Sequence, residues 1–201
     1  MKDDIYILAH EMKNPLCVVK GYLEMLNKDN LEEYKEIIKN EINSSIEILD
    51  NYLDYNKLSI TSEEMDINLF LSDIKRNMRD YLKKNDINFK VKLLDDEIYL
   101  NADYNRLRQV FYNIIKNSVE SGSKNISIKY KILYDEINIT IENDGKQLDN
   151  LKKIGKNYSD KVFGNGIGTK LSKKIIALHH GKIKYCNTNR GVNCDIILPL
   201  S

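Results

Sequence analysis

The sequence predicts an α+β chain: an N-terminal antiparallel helical hairpin over residues 1–61 that forms a dimeric four-helix bundle, followed by an α/β sandwich over residues 62–201. Three observations lead there. In the first part, apolar residues recur at alternating steps of three and four, the period of a packed helix face. After residue 62 the pattern changes to short apolar/polar alternations interleaved with helical stretches, as in a sheet with helices on one face. Between the two regimes, residues 59–64 read as a turn-like linker.

In the first helix Ile5, Leu8, Met12, Val19, Tyr22 and Leu26 carry the stripe, and Pro15 fills the one missing place, where its lost N–H predicts a kink. A polar turn at residues 27–30 leads to a second stripe through Ile38, Ile42, Ser45, Leu49 and Tyr52, flanked by Ile46 and Leu53. A hairpin of roughly 55 residues is small for a core of its own, so its apolar seams require a second copy. Residues 65–67 read as a short strand, Asn68 as a helix cap, and residues 69–84 as a helix with Phe70, Ile74, Met78 and Tyr81 inward. Ile87, Phe89, Val91 and Leu93 alternate as a strand.

Asp103 then caps a helix running through Ser121, with Leu107, Val110, Phe111, Ile114 and Ile115 on its inner face. Ile126, Ile128, Tyr130 and Ile132 pair with Ile137, Ile139 and Ile141 as a hairpin. Residues 170–180 form the last long helix, ending in His179 and His180, where a cation is favoured. Strands at 182–185 and 192–198 close the second domain.

Composition excludes several classes. With 31 basic and 30 acidic side chains the net charge is +1, which argues against a nucleic-acid partner. A chain that is 42% apolar and 30% charged buries a core and is neither disordered nor collagenous. No run approaches the ~20 apolar residues of a membrane span, so no direct membrane insertion is expected. Asp3 and Asp4 near the start do not suit a signal peptide, and a cytoplasmic location is expected. Cys17, Cys186 and Cys194 are odd in number and lack C-x-x-C spacing, which removes a disulfide framework and a zinc site.

Three constellations carry chemistry. His10 takes the outermost heptad position, facing water, with Glu11 on the adjacent flank and Asn14 one turn later. An imidazole beside a carboxylate that can take its proton is how a nucleophilic histidine is built, whereas a lone exposed histidine usually does nothing. A zinc helix needs a second histidine at position 14, and Asn14 excludes it. Asn113 and Asn117, four apart, share one helix face whose amides suit phosphate oxygens and a magnesium ion. Without context that face is an ordinary solvated one.

The third is Gly164-Asn165-Gly166-Ile167-Gly168, which opens into a helix as phosphate-cradling loops do, without the spacing of a P-loop. Upstream, Asn143, Asp144 and Gly145 end a strand in a polar turn able to hydrogen-bond a base edge, or simply to end the strand.

In this order, the residues resemble the transmitter core of a two-component sensor histidine kinase over nearly the whole chain. Ala9-His10-Glu11-Met12-Lys13-Asn14-Pro15-Leu16 is similar to the family's H box. The stretch 106–121, with Asn113, Asn117 and Glu120, is similar to its N box as found in nitrogen-regulation and sporulation-type kinases. Tyr158-Ser159-Asp160-Lys161 and the glycine run resemble the short lid and G2 box of that group.

The resemblance implies a phosphotransfer hairpin and a Bergerat-type ATP-binding domain of the histidine-kinase ATPase type, with ATP and Mg²⁺ as cofactors. It implies that His10 takes the γ-phosphoryl group with Glu11 as general base, and that Asn117 holds Mg²⁺ with Asn113 near the phosphates. Lys161 would reach the γ-phosphate, while Gly164, Gly166 and Gly168 would frame the triphosphate. The phosphoryl group would pass to an aspartate of a response regulator receiver domain docked on the homodimeric hairpin. Asn14 would orient a water for dephosphorylation of the regulator, a second activity. Because His10 lies so near Met1, two expectations stand: the chain is an excised core, or a separate sensor protein supplies the input.

Two positions depart from the family. Asn143 stands where the family has its adenine-reading aspartate, and Gln147 replaces the second glycine of the G1 box. Asn143 can accept a hydrogen bond from the adenine amino group without the strengthening charge, and Asp144 substitutes only after a shift of register. These departures favour a competing reading, a phosphotransferase, phosphatase or regulator-binding protein that no longer uses ATP. An ATPase or chaperone-like module sharing the nucleotide fold is a third, which leaves His10 unexplained.

Overall fold

In the computed structural model, which describes residues 2–148 and 167–200, the chain forms two units, Met1–Lys57 and Leu58–Ser201. The first contains α1 (Lys2–Glu24) and α2 (Leu31–Lys57). Pro15 lies inside α1 and is buried, and the helix continues on both sides of it rather than breaking. The proline removes one backbone donor, a local loss that packing against α2 outweighs. The connecting turn is built by asparagines: Asn27 Oδ1 accepts the N–H groups of Asp29 and Asn30, and Asn30 Oδ1 accepts the N–H of Asn27. Glu32 and Glu33 then occupy the first turn of α2, where negative charge complements the helix dipole.

The face that α2 turns toward α1 differs from the predicted stripe. Ser45 and Ile48 are buried, Tyr52 is half-buried, and the rings of Tyr22 and Tyr34 meet edge to face at 4.8 Å. Ile42, Ile46, Leu49 and Leu53 are instead exposed, as are Leu16 and Leu23 of α1. The apolar arc of each helix is therefore wider than one partner helix covers, as expected of a helix with two neighbours in a bundle.

The second unit runs β1 (Glu63–Asp66), α3 (Ile67–Asn77), α4 (Arg79–Lys84), β2 (Asn88–Val91), β3 (Tyr99–Ala102), α5 (Tyr104–Glu120), β4 (Asn125–Leu133), β5 (Glu136–Asn143), α6 (Ile167–Leu178), β6 (Lys182–Asn187) and β7 (Val192–Pro199). Five strands form one sheet in the order β2-β4-β5-β7-β6, with β2 parallel to β4 and the other pairs antiparallel. Alternate residues Ile126 and Ile128, Ile137, Ile139 and Ile141, and Cys194 and Ile196 are buried. They meet the buried faces of the helices: Phe70, Leu71 and Ile74 on α3, Leu171, Ile175 and Ile176 on α6, and all five predicted inner residues of α5. Phe70 packs edge to face against Phe111 at 5.1 Å.

The predicted helix over 69–84 is two helices divided at Met78. Its cap is Asp66, whose carboxylate accepts the N–H groups of Asn68 and Leu69. Asn68 instead holds the chain after β2, donating to the carbonyls of Leu94 and Asp96. Strand β3, unread in the sequence, pairs antiparallel with β1. Among the described residues no helix is long and apolar enough to cross a membrane.

Candidate functional site

His10 projects from α1 as an exposed side chain, with Glu11 beside it half-buried and Asn14 exposed one turn on. Glu11, four residues before the buried Pro15, shares its face, whereas His10 and Asn14 point away from it. An accessible imidazole next to a carboxylate that is partly withdrawn from water can carry nucleophilic chemistry.

In the second unit α5 starts at Asp103, whose side chain accepts the N–H of Arg106, and ends at Ser121. Asn113 and Asn117 are half-buried one turn apart on it. Asn113 Nδ2 donates to Ser172 Oγ of α6 at 2.9 Å. A Cβ on Gly168 would overlap Asn113 Oδ1 and push this amide from its place against the first turn of α6. The structure thus brings Asn113, Gly168 and Ser172 together, with Asn117 further along the same helix. Lys161, Gly164 and Gly166 lie outside the described residues.

The end of β5 turns its two polar residues in different directions. Asn143 is half-buried among serines: its Nδ2 donates to Ser118 Oγ at 3.1 Å, and its Oδ1 accepts from Gly145 N–H at 3.0 Å and Ser123 Oγ at 3.3 Å. A Cβ on Gly145 would collide with the hydroxyls of Ser121 and Ser123 and displace them. Asp144 Oδ1 accepts the N–H groups of Lys124 and Asn125, both at 2.8 Å, and its Oδ2 accepts from Asn125 Nδ2 at 2.7 Å. Burial pulls the Asp144 carboxyl upward, and these bonds outweigh it and hold the group below its ordinary value. The register shift that would carry Asp144 into the place of Asn143 would forfeit all three bonds.

Residues 5–59 match the His Kinase A (phospho-acceptor) domain, and residues 102–201 match the family described as histidine kinase-, DNA gyrase B-, and HSP90-like ATPase. The chain belongs to the histidine kinases. Sporulation kinase B of Bacillus subtilis is 29% identical over 206 residues, covering 96% of this chain and 48% of the relative. Sporulation kinase C of the same organism is 31% identical over 206 residues, covering 96% and 47%. The chain spans about half the length of the curated relatives it matches. The solved histidine kinase ThkA, in complex with the response regulator protein TrrA, superposes with a TM-score of 0.82 at 23% identity. That match covers 96% of this chain and 60% of ThkA, and it shows the shared fold.

In this histidine kinase the structure also assigns parts to residues that sequence reasoning missed. His179, expected at a helix end where a cation is favoured, is only 5% exposed. Its Nε2 accepts the backbone N–H of Asp103 at 2.9 Å, which leaves the ring proton on Nδ1, 2.8 Å from the carbonyl of Ile175. Asp103 Oδ2 in turn accepts the N–H of Thr61 at 2.9 Å. Burial pulls the Asp103 carboxyl upward, but the N–H groups of Thr61 and Arg106 and then the Arg106 charge hold it below its ordinary value. The end of α6, the cap of α5 and the segment before β1 are thereby tied together.

A signal for His179 was present. It falls four residues after Ile175 and three after Ile176, on the buried face of α6. Gln147, which departs from the histidine-kinase pattern, has a structural use: its side-chain amide donates to the carbonyl of Thr188. Leu148 and Asn187 exchange two further hydrogen bonds, both at 2.9 Å, fastening the segment after Gly145 to the end of β6.

Proposed function

We propose that the chain is an ATP-dependent protein-histidine kinase that phosphorylates His10 and passes the phosphoryl group to an aspartate of a response regulator receiver domain. The observation that carries this reading is the order of the two matched domains, with an accessible His10 and an adjacent Glu11 inside the phospho-acceptor match. In the transfer, one imidazole nitrogen of His10 attacks the γ-phosphorus of ATP. The bond from that phosphorus to the β,γ-bridging oxygen breaks, and ADP leaves with the electron pair. Glu11 takes the proton from the ring's other nitrogen. Such transfers depend on positioning and charge neutralisation, which fall to the second unit.

Asn143 reads the base, while Asn113 lies against the first turn of α6, whose N-terminal N–H groups favour phosphate. Lys161, Gly164 and Gly166 complete the phosphate contacts on this reading. The amide oxygen of Asn117 suits a hard, oxygen-seeking cation that retains several waters, so Asn117 would hold Mg²⁺. Bound there, Mg²⁺ neutralises charge on the phosphates.

The test is incubation with γ-labelled ATP and Mg²⁺. The expected label survives alkali, is lost in acid, and fails to form when Mg²⁺ is chelated. An acid-stable label, or bound ATP with no label, would overturn the reading. The competing reading, a phosphotransfer or regulator-binding protein that does not use ATP, is favoured by Asn143 and predicts no saturable ATP site.

The response regulator as partner is supported by the solved complex of ThkA with TrrA. A homodimer is supported by the outward stripe of Ile42, Ile46, Leu49 and Leu53. Light scattering should give twice the chain mass at micromolar concentration, and Leu49→Glu should shift it toward the monomer. A monomeric wild-type chain would sink the dimer.

A further inference from the structure

The Asn143 carboxamide has one permitted orientation. The backbone N–H of Gly145 can only donate, so the atom 3.0 Å from it is the oxygen, Oδ1. Ser118 Oγ gives its proton to the carbonyl of Ile114 at 2.9 Å, so toward Asn143 it only accepts, and the atom 3.1 Å from it is Nδ2. Turning the amide over would set donor against donor at Gly145 and acceptor against acceptor at Ser118. Ser121 gives its proton to the Ser118 carbonyl, so the one proton of the buried Ser123 hydroxyl is shared between Ser121 Oγ and Oδ1, each 3.3 Å away. What Asn143 retains, among the described residues, is one N–H of Nδ2 and at most part of one lone pair of Oδ1.

We propose that Asn143 opens the nucleotide site to 6-oxopurine nucleoside triphosphates, so that the chain binds the GTP class about as well as ATP. This rests on the reading above that the base is read at Asn143. A 6-aminopurine presents an N–H donor and needs an acceptor opposite it, whereas a 6-oxopurine presents an acceptor and needs a donor. A carboxylate at this position accepts from the amino group and repels the oxo group, which gives strong discrimination because an unmatched polar pair is left buried. The asparagine here has its oxygen committed to Gly145 and partly to Ser123, and a nitrogen proton to spare. It complements the oxo group, and its neutrality removes the charge-assisted bond that would favour adenine.

The experiment is equilibrium binding of ATP, ITP and GTP, each with Mg²⁺, to the full chain and to Asn143→Asp. ITP carries the 6-oxo group without the 2-amino group of GTP, so agreement between the two assigns the effect to position 6. For the wild-type chain, ITP and GTP should bind within about threefold of ATP. Asn143→Asp should weaken both by at least about tenfold relative to ATP. A wild-type preference for ATP of more than about tenfold overturns the inference, as does a ratio that Asn143→Asp leaves unmoved. ATP-selective binding would leave the nucleotide reading standing, whereas a chain that binds none of the three overturns that reading as well. The wild-type comparison needs no substitution, so a variant that fails to fold leaves the decision with it.

Discussion

His10→Ala is expected to leave no acid-labile label on the chain, and Glu11→Gln to slow labelling by roughly 10²–10⁴-fold, the range of a lost general base. Neither change should alter nucleotide affinity, because both residues lie in the Met1–Lys57 unit while Asn113, Asn117 and Asn143 lie in the other. The fold should tolerate them too. His10 is exposed, and surface substitutions usually stay within about 0.5 kcal/mol. Glutamine keeps the shape of the half-buried Glu11 and most of its hydrogen-bonding capacity while removing the base. Single-turnover labelling beside equilibrium ATP binding checks the pair. A general base acts only on the way to the transition state, so Glu11→Gln should lower kcat and kcat/KM equally. Labelling of Glu11→Gln at the wild-type rate would mean that water takes the proton and that Glu11 has no part in the transfer.

What the sequence disclosed follows from the range of the interactions. The face of α5 from Leu107 to Ile115 and its Asp103 cap depend on residues three or four apart, and each lies where the period put it. The alternation along β4 and β5 was equally legible, since each strand buries every second residue on one face. Strand β3 is four residues long and owes its existence to pairing with β1, more than thirty residues earlier in sequence order, which no local period records. The choice of Asp66 over Asn68 as a cap depends on where Leu94 and Asp96 place their carbonyls.

The site divides in the same way. His10, Asn113, Asn117 and the glycines were visible as residue types in order. The orientation of the Asn143 amide was not, because Ser118 and Ser123 lie outside its strand and meet it only after folding. Asp144 shows the converse. As a sequence letter it looked like a stand-in for Asn143, and in the fold it is occupied by the backbone at the start of β4.

The hairpin adds a related lesson. Periodicity located the apolar residues of α2 but assigned them to a single seam. Ser45 and Ile48 serve the contact within the chain, whereas Ile42 and Leu49 turn outward. A stripe two neighbours wide reads in sequence as one broad stripe, and only the partner's position separates its halves.

His179→Ala is expected to cost the second unit roughly 2–4 kcal/mol, a large share of a domain's stability. The imidazole is buried, so its removal leaves a cavity, and the backbone N–H of Asp103 loses its acceptor at the cap of α5. The Ile175 carbonyl keeps the helical N–H of His179 itself, so only one backbone group is orphaned, which sets the upper end of the range. Urea unfolding followed through this unit measures the loss, and a change below about 0.5 kcal/mol would mean that the bond contributes nothing. Hydrogen exchange supplies the reading that a simple cavity would not. If His179 positions Asp103, then the Thr61 amide, which donates to the Asp103 carboxylate, should exchange faster in the variant although it lies on the far side of that carboxylate. Acid should act on the same tie. The Asp103 carboxyl is held below its ordinary value, so its share of stability is present above the ordinary carboxylate range and fades as pH falls through the lowered value. The carboxylate's tie between the cap of α5 and the segment at Thr61 therefore holds through neutral pH and loosens in acid.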